Sequence, residues 1–402
     1  MKIALMGFGV VGSGVGEIIK SNQDNFLNKI SENIEVKYIL DLRDFPDSSY
    51  NCFTKDFNDI LNDNEVTAVV EAMGGINPAY EFTKKLLNSG KHVVTSNKEL
   101  VAKHGTELLD IARKNNVNYM FEASVGGGIP IIRPICSSLT AGEITEVYGI
   151  LNGTTNYILT KMIKDDVDFS EALKGAQKKG YAESDPTADI EGIDSCRKIA
   201  ILGSLAFGKS IDCEKIPTEG IANITLTDAE YAEKLNCSIK LIASCQKVQN
   251  GIYARVCPML VPEENLISSI SGVFNGIVVK SKELGEIMFY GRGAGKLPTA
   301  SAVVSDLIDI AKHKDKNIMI RWQSGSDDYL LPPQSQKYSY YIRVKGADIK
   351  DFSDTETAVL KKDGLKDEFA FITPLLDENE LNEYLNTERF SGCKILGKIR
   401  HI

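Results

Sequence analysis

Short runs of β-branched and aromatic residues alternate with helical segments over roughly the first 120 residues. The strand-like runs are KIALM, EVKYIL, VTAVVEA, KHVVTS and VNYMF. Strands that alternate with helices favour right-handed βαβ crossovers and a mostly parallel, doubly wound sheet. The sequence therefore predicts an N-terminal domain of the α/β class.

The pattern changes after Gly126. It predicts a strand over 143–151 and helices over 154–165, 170–179 and 194–207. The segment SIKLIASCQKVQNGIYARVCPML holds two strand-like runs, and we expect them to form a hairpin joined at Asn250-Gly251. These elements predict a second domain, of the α+β class.

Three further segments follow. PTASAVVSDLIDIAKHK, residues 298–314, has the periodicity of an amphipathic helix with proline at its start. Residues 324–339 are rich in Ser, Asp and Pro and are predicted to be a linker. Beyond it, YYIRVKG and EFAFITP are predicted strands and ENELNEYLN a predicted helix. They indicate a small third unit.

Length and composition narrow the choice of protein class. The chain has 402 residues, enough for two or three domains. With 46 Lys and Arg against 55 Asp and Glu, we expect neither nucleic acid nor a membrane surface as a partner. No signal peptide or spanning segment is expected. The eight cysteines are scattered without a CxxC pair, which is typical of reduced thiols in a cytoplasmic protein.

A glycine-rich motif lies between the first predicted strand and the first predicted helix. Gly7, Gly9 and Gly12 have the spacing G-x-G-x-x-G. In this context the first glycine permits a tight turn, the second lets the backbone approach a pyrophosphate, and the third lets helix and strand pack closely. The motif predicts a Rossmann-type dinucleotide site; the alternative is a structural turn in a domain that binds another ligand.

The end of the second strand, ILDLRD, bears on the choice of dinucleotide. Asp41 can accept hydrogen bonds from a ribose 2′-hydroxyl, which favours NAD. Arg43 can pair with a 2′-phosphate, which favours NADP. Because Asp41 favours NAD and Arg43 favours NADP, the choice between the two cofactors stays open.

Two lysines occupy unusual positions. Lys98 follows the carboxyl end of a predicted strand, in the first turn of a helix capped by Ser96 or Asn97, where the helix dipole disfavours a cation. The alternative is a solvated surface lysine. Lys198 lies on the apolar face of a helix, one turn after Asp194, so we expect it to be paired or to have a lowered pKa. The alternative is an exposed ion pair.

Five carboxylates lie within the stretch GYAESDPTADIEGIDSCRKIA. They belong to Glu183, Asp185, Asp189, Glu191 and Asp194. Oxygen-rich loops bind Ca²⁺ or Mg²⁺, but the spacing does not follow the EF-hand pattern. Grouped carboxylates can also hold a ligand ammonium, as a small amino-acid substrate requires.

Six segments together resemble homoserine dehydrogenase. They are GFGVVGSGV at 7, SNKELVAKHG at 96, FEASVGGGIPIIRP at 121, ILNGTTNYILTKM at 150, GYAESDPTADIEGIDSCRKIAIL at 180 and GRGAGKLPTASAVVSDLIDIA at 291. They occur in family order and cover about residues 1 to 320. The resemblance implies interconversion of L-aspartate 4-semialdehyde and L-homoserine with NADPH or NADH, a step toward threonine, methionine and isoleucine.

The resemblance also implies roles for individual residues. Glu183 and Asp194 would bind homoserine, with Asp189 nearby. Lys198 would be the proton donor, linked to the substrate through Asp194, and Lys98 a second catalytic lysine. The cofactor would be bound by Gly7, Phe8, Gly9, Val10, Val11, Gly12, Lys98, Gly180 and Gly295. A structural monovalent cation, usually sodium, would be held by Glu122 and the carbonyls of Val125, Gly127 and Ile129.

The family's fold implies three domains and a homodimer or higher homo-oligomer. The NAD(P)-binding domain would comprise 1–130 plus 296–320, the substrate-binding and dimerisation domain 131–295, and a divergent ACT-like unit 340–402 after the linker. The stretch ADIKDFSDTETAVL lacks the family's usual loop and is short for a full first helix. We therefore expect weak threonine inhibition or none.

Two other functions fit parts of the sequence. A semialdehyde dehydrogenase that acylates a cysteine would need an activated thiol, for which Cys136 and Cys196 are the nearest candidates. Neither has a neighbouring histidine in the sequence. A nucleotide-binding redox sensor without turnover would bind the cofactor but would need neither Lys98 nor Lys198.

Overall fold

A computed structural model of the chain describes residues 1–314, 316–352, 358–361, 365 and 367–402. The described residues form two compact units. The first comprises Met1–Ile144, Ala200–Cys213 and Lys280–Gly325, and the second comprises Thr145–Ile199, Glu214–Val279 and Ser326–Ile402. No helix among these residues is long and apolar enough to cross a membrane.

The strands in chain order are β1 (Lys2–Met6), β2 (Glu35–Leu40), β3 (Phe53–Thr54), β4 (Val66–Glu71), β5 (His92–Thr95), β6 (Tyr119–Met120), β7 (Ile144–Ile150), β8 (Cys237–Val248), β9 (Gly251–Pro262), β10 (Phe274–Ser281), β11 (Gly285–Arg292), β12 (Ser339–Lys345), β13 (Ala358–Lys361), β14 (Glu368–Ile372) and β15 (Lys394–His401).

The α-helices in chain order are α1 (Val10–Ser21), α2 (Gln23–Ile30), α3 (Phe57–Leu61), α4 (Ala79–Asn88), α5 (Lys98–Lys114), α6 (Gly153–Asp165), α7 (Phe169–Lys178), α8 (Thr187–Ile190), α9 (Ile193–Phe207), α10 (Leu226–Lys234), α11 (Lys296–Lys312) and α12 (Glu378–Leu385).

The first unit contains the parallel sheet that the sequence predicts. Its strand order is β3-β2-β1-β4-β5-β6, and each neighbouring pair is parallel. This is the Rossmann order, in which the chain reverses direction of winding beside β1, at the edge where such sheets bind ligands. The prediction of an N-terminal α/β domain is confirmed. The short strand β3 was not predicted, and β6 covers only part of the predicted run VNYMF.

A helix from much later in the chain packs in the first unit. Helix α11 lies against α1 and β5. The contact with α1 is close because position 14 is glycine: a Cβ there would lie 3.0 Å from Cβ of Ala300. The apolar face of α11 is buried, including Val303, Leu307 and Ile310. The predicted amphipathic helix therefore completes the core of this unit.

The second unit contains a mixed sheet in the order β10-β7-β8-β9-β15-β12-β14-β13. The predicted hairpin is formed by β8 and β9, with Val248 paired to Gly251. The turn is therefore Gln249-Asn250, one residue earlier than predicted, because Gly251 already belongs to β9. Helix α10, which packs on β8, was not predicted from the sequence.

The C-terminal strands continue this sheet. Strand β15 pairs in parallel with β9 and antiparallel with β12, and β14 pairs antiparallel with β12 and β13. The segment between β12 and β13 contains a 3₁₀ turn, Ile349–Phe352. Residues 353–357 of the stretch ADIKDFSDTETAVL lie outside the described residues.

Candidate active site

The backbone conformation and close packing of the glycine-rich loop require glycine at two of its positions. Gly7 has φ +92°, and a Cβ at this position would lie 2.6 Å from the carbonyl oxygen of Ala72. A Cβ at Gly12 would lie 1.9 Å from the carbonyl oxygen of Gly7. A Cβ at Gly9 would lie 3.8 Å from its nearest neighbour, Nη2 of Arg43. The turn itself requires Gly7 and Gly12, whereas Gly9 leaves room for an anion to reach the backbone.

The residues that follow Gly7 present a helix N-terminus beside an aromatic cluster. Helix α1 begins at Val10 without a side-chain cap. Val10 is exposed and Val11 half-buried. The Phe8 ring lies 5.2 Å from Phe45 and 5.3 Å from Phe53, centroid to centroid. Uncapped N–H groups at a helix start form a ready site for phosphate oxygens.

Asp41 and Arg43 form a bidentate ion pair at the end of β2. Arg43 Nε donates to Asp41 Oδ1 over 3.0 Å, and its Nη2 donates to Oδ2 over 2.8 Å. The Phe8 backbone N–H also donates to Asp41 Oδ2, over 2.8 Å. The Arg43 hydrogen bonds hold the pKa of the Asp41 carboxyl far below its usual range, against the effect of partial burial. The carboxylate stays ionised, and the Arg43 side chain remains largely exposed.

Lys98 is the first residue of α5, as the sequence predicts. Of the two predicted caps, Asn97 is the one used: its Oδ1 accepts from the Leu100 backbone N–H over 3.1 Å. Thr95 lies two residues before Asn97, and its hydroxyl donates to the Glu71 carboxylate over 2.5 Å. Glu71 is fully buried, and burial raises its pKa. No sequence motif marks this carboxylate, which joins the ends of β4 and β5.

Lys198 is buried in the second unit and paired. Its Nζ donates to Asp194 Oδ2 over 2.7 Å and to the carbonyl oxygen of Leu151 over 2.8 Å. Lys198 is 7% exposed and Asp194 4%. The helical spacing predicted the pairing with Asp194. The carbonyl of Leu151, which lies far away in sequence, could not be foreseen.

Asn152 brings two of the predicted carboxylates together. Its Nδ2 donates to Asp189 Oδ1 over 2.7 Å and to Asp194 Oδ2 over 2.9 Å. We call Asn152, Asp189, Asp194 and Lys198 the Asn152 cluster. Asn152 belongs to the motif ILNGTTNYILTKM, but its position alone does not show which carboxylates it bridges.

The other carboxylates of the acidic stretch lie apart from this cluster. Glu183 is exposed, and among the described residues its carboxylate makes no hydrogen bond to the cluster. Asp185 accepts from the backbone N–H of Thr187 over 3.1 Å and from its hydroxyl over 2.6 Å, which starts α8. Asp185 therefore forms a turn.

Gly180 and Gly295 occupy helix boundaries. Gly180 has φ +72° and ends the segment after α7, where its N–H donates to the carbonyl oxygen of Gln177 over 3.0 Å. Gly295 has φ +127° and immediately precedes α11. Both conformations favour glycine. The local backbone therefore already accounts for these two glycines.

Glu122 is buried and accepts three backbone hydrogen bonds. Its Oε1 accepts from the N–H groups of Ile131 and Ile132 over 2.7 and 2.8 Å, and its Oε2 from that of Arg133 over 2.8 Å. Among the described residues, no N–H donates to the carbonyl oxygens of Val125, Gly127 and Ile129. Val125 and Ile129 are themselves buried. A carboxylate holds about four lone pairs, so Glu122 keeps one for a further ligand.

Asp306 is a second buried carboxylate next to Glu122. Its Oδ2 accepts from the Glu122 backbone N–H over 2.9 Å, and its Oδ1 from Arg133 Nη2 over 2.8 Å. Burial, aided by the Glu122 charge, raises the pKa of Asp306 to about 8. Asp306 lies on α11, far from Glu122 along the chain, so their contact cannot be predicted from sequence spacing.

The two candidate cysteines lie in surroundings that do not favour a thiolate. Burial raises the pKa of Cys136 to about 12, and Cys196 is buried on α9. A thiol with a raised pKa is a weak nucleophile at neutral pH. Within the part of the chain that the structure describes, no three His, Cys, Asp or Glu side chains are grouped to hold a metal. The acylating alternative therefore finds no support at these two residues.

Comparisons with known proteins agree with this geometry. The family model of the homoserine dehydrogenase NAD binding domain matches residues 7–122, and the homoserine dehydrogenase model matches residues 130–308. A homoserine dehydrogenase from Bacillus subtilis is 36% identical over 390 residues, covering 95% of this chain and 90% of that protein. The chain belongs to the homoserine dehydrogenase family.

Solved structures of the family share its fold. A homoserine dehydrogenase from Thiobacillus denitrificans superposes with a TM-score of 0.89 at 34% identity, covering 100% of this chain and 98% of that chain. A hyperthermophilic archaeal homoserine dehydrogenase mutant in complex with NADPH has a TM-score of 0.66 at 28% identity, covering 78% and 98%. The enzyme is an NAD(P)-dependent oxidoreductase whose substrates are L-homoserine and L-aspartate 4-semialdehyde.

Proposed function

We propose that Lys198 transfers the proton at the substrate oxygen. Semialdehyde reduction leaves an alkoxide that must gain a proton, and homoserine oxidation requires the reverse transfer. The observation that carries this role is the burial of Lys198, whose ammonium is oriented by Asp194 and the Leu151 carbonyl. Lys98, at the start of α5, is the second catalytic lysine.

The homoserine ammonium is bound by Asp194 and Glu183, with Asp189 in support. A buried cation needs a paired anion, and the Asn152 cluster combines two carboxylates with one lysine. The exposed Glu183 lies on the same acidic stretch and is available to a ligand from solvent. The cluster therefore retains negative charge for an amino-acid substrate.

The cofactor is held mainly by the glycine-rich loop. The proposed contacts are Gly7, Phe8, Gly9, Val10, Val11, Gly12, Lys98, Gly180 and Gly295. The open space at Gly9 and the uncapped start of α1 fit a pyrophosphate. Bound NAD(P) supplies or accepts the hydride. Arg43 is exposed and can meet a 2′-phosphate, whereas Asp41 can meet a 2′-hydroxyl, so we expect both NADP and NAD to be used.

A structural monovalent cation, Na⁺, is bound by Glu122 and by the carbonyls of Val125, Gly127 and Ile129. The residues fit such an ion because these carbonyls accept no hydrogen bond among the described residues and Glu122 keeps one lone pair. The ion would offset the charge of a carboxylate that is 3% exposed.

The C-terminal segment, 340–402, is an ACT-like module. Its strand order β15-β12-β14-β13, all antiparallel, with the 3₁₀ turn Ile349–Phe352 after the first of these strands in the chain and α12 before the last, supports a βαββαβ arrangement. We expect weak threonine inhibition or none, and initial rates measured with added threonine test this. Strong cooperative inhibition would show that the module still binds the effector.

The proposed domains are an NAD(P)-binding domain, 1–130 plus 296–320, a substrate-binding and dimerisation domain, 131–295, and the ACT-like module, 340–402. The active form is a homodimer or higher homo-oligomer, which light scattering of the purified enzyme tests. Leu284 and Tyr290 are each 53% exposed in the single chain, as subunit contacts would be. All eight cysteines are thiols, which fits a cytoplasmic enzyme.

The decisive experiment compares the wild type with Lys198→Met. The methionine keeps the length of the side chain but cannot carry a proton. With L-homoserine and NAD(P)⁺, absorbance of the reduced nicotinamide should show a kcat lower by about 10²–10⁴-fold. Cofactor affinity, measured by fluorescence titration, should stay near that of the wild type. Full activity in the variant would exclude Lys198 as the proton donor.

A further inference from the structure

The amide of Asn152 has a fixed orientation. Its Oδ1 accepts from the Thr155 backbone N–H over 2.9 Å and from the Thr155 hydroxyl over 3.1 Å, so it caps the N-terminus of α6. Its Nδ2 faces two carboxylates, which only accept hydrogen bonds when ionised. Both ends of the amide therefore require the same orientation, and Asn152 is 5% exposed.

The two hydrogens of Nδ2 join the short helix α8 to the first turn of α9. One is donated to Asp189 on α8 and the other to Asp194 on α9. Two carboxylates brought around one point repel each other unless a donor lies between them. Asp194 Oδ2 also accepts from Lys198. The same amide therefore determines where Asp189 lies and how Asp194 is presented to Lys198.

The neutrality of this bridge matters for an amino-acid substrate. Two carboxylates and one ammonium leave the Asn152 cluster with a formal charge of −1. A lysine or arginine at position 152 would donate the same bonds but cancel this charge. An asparagine holds the carboxylates together without adding a positive charge of its own.

We propose that Asn152 is a positioning residue for homoserine turnover, because its amide bridges Asp189 and Asp194 while it caps α6. This inference rests on the proposed roles of Asp194 and Lys198. Asn152 acts through these side chains and is not itself assigned a contact with substrate. The bridge determines how Asp189 and Asp194 are presented to the substrate and how Asp194 is presented to Lys198.

Two variants separate the bridge from the helix cap. Asn152→Asp keeps an equally good capping acceptor but places a third carboxylate where the donors were. Asn152→Ser also keeps a capping oxygen, adds no charge and is too short to bridge the two carboxylates. Asp168→Ala is the control for capping alone, because Asp168 caps α7 through the Glu171 N–H and lies outside the cluster.

The measurements are kcat and KM for homoserine across pH, with NAD(P)⁺ saturating. For Asn152→Asp we expect kcat/KM to fall by about 10²-fold or more, through both parameters. The pH at which the oxidation rate rises should move upward, because an added carboxylate favours the charged lysine. Asn152→Ser should lose about tenfold or more in kcat/KM without that shift. Asp168→Ala should change only the melting temperature.

Each outcome decides the inference. Wild-type kcat/KM in a folded Asn152→Asp or Asn152→Ser variant overturns it, and so does an unmoved pH profile in Asn152→Asp. If Asn152→Asp does not fold, Asn152→Ser still decides through kcat/KM. Lys198→Met, assayed in parallel, distinguishes failure of the proposed proton transfer from failure of the positioning role of Asn152. Full activity of Lys198→Met overturns the proton transfer. An inactive Lys198→Met beside a fully active Asn152→Ser overturns only the positioning role.

Discussion

Lys198 and Asp194 form a buried ion pair one helical turn apart on α9, with Nζ donating to Oδ2 over 2.7 Å. A buried ammonium is stable only when it is paired, so the carboxylate sets both the charge and the direction of the lysine. The same Oδ2 accepts from Asn152 over 2.9 Å. In the proposed mechanism Asp194 is therefore the residue through which substrate binding and proton transfer depend on each other.

Replacing Asp194 with asparagine tests this link. Asp194→Asn keeps the size of the side chain but removes the charge that pairs with Lys198 and with the substrate ammonium. We expect kcat/KM for homoserine to fall by at least about 10²-fold, and the pH at which oxidation accelerates to move downward. Steady-state rates across pH measure both. Unchanged cofactor affinity serves as the control, and a loss confined to cofactor binding would contradict the role.

Arg43 should decide how strongly NADP is preferred. In Arg43→Ala the 2′-phosphate loses a charge-assisted hydrogen bond, so KM for NADP⁺ should rise by about 10–100-fold. KM for NAD⁺ should stay the same or fall, because Asp41 is released from its bidentate pair with Arg43. Parallel kinetics with the two cofactors measure the ratio. Equal changes for both would mean that Arg43 does not read the 2′ position.

Much of the fold follows from patterns that lie close together in sequence. Strand β1, the turn at Gly7 and the start of α1 are adjacent, so periodicity and glycine spacing predict all three. The pairing of Lys198 with Asp194 follows from the helical repeat. Residue preference at helix starts narrows the cap of α5 to Ser96 or Asn97, and the structure uses Asn97. In each case the partners are fewer than ten residues apart.

Contacts between distant segments could not be predicted in this way. Asn152 bridges carboxylates that lie 37 and 42 residues away. Asp306 reaches Glu122 across 184 residues. Such contacts depend on which strands neighbour each other, and a single sequence does not contain that information. The hairpin turn was misplaced by one residue because Asn-Gly is a strong turn signal, yet Gly251 pairs as a strand residue.

The proposed cation site makes stability depend on sodium. With NaCl exchanged for tetramethylammonium chloride at equal ionic strength, the wild type should unfold at a lower temperature, since the carbonyls of Val125, Gly127 and Ile129 would lose their ligand. Glu122→Gln should be less stable by about 1–3 kcal/mol and should respond little to the exchange. Thermal unfolding in both salts measures this. A wild type that is indifferent to sodium would contradict the site.

Lys240 should make stability depend on pH in the alkaline range. Burial lowers its pKa from 10.5 to about 8, although Nζ donates to the Ile270 carbonyl over 2.5 Å. Between these values the unfolded chain binds more protons at this residue than the folded chain does. The contribution of Lys240 to stability therefore rises with pH from about 8 to about 10.5, by roughly 3 kcal/mol at most.

Comparison with Lys240→Met isolates this contribution, because thiols and tyrosines also titrate in that range. Urea unfolding at several pH values gives the free energy of unfolding of both proteins. We expect the stability of the wild type, relative to the variant, to increase as pH rises through the window. A constant difference would mean that Lys240 has the same proton affinity in the folded and unfolded chain.

Two buried arginines should hold the C-terminal strands to the central sheet of the second unit. Arg255 on β9 is 2% exposed and Arg400 on β15 is 3% exposed. Both donate to Glu378 Oε1, over 2.9 and 3.0 Å. In Glu378→Gln both guanidinium groups lose a carboxylate that they share, and both then compete for the Glu219 carboxylate. Because removing a charged partner from a buried ion pair is costly, we expect a loss of about 3 kcal/mol.

Glu380→Gln is the matched control on the same helix, α12. Glu380 pairs with the exposed Lys337, and glutamine can still complete the capping box with Asp377. An exposed pair contributes at most about 1 kcal/mol, so this variant should unfold nearly as the wild type does. Urea unfolding compares the two variants. Equal losses would show that α12 responds to any charge removal, whereas a loss confined to Glu378→Gln locates the attachment at the two arginines.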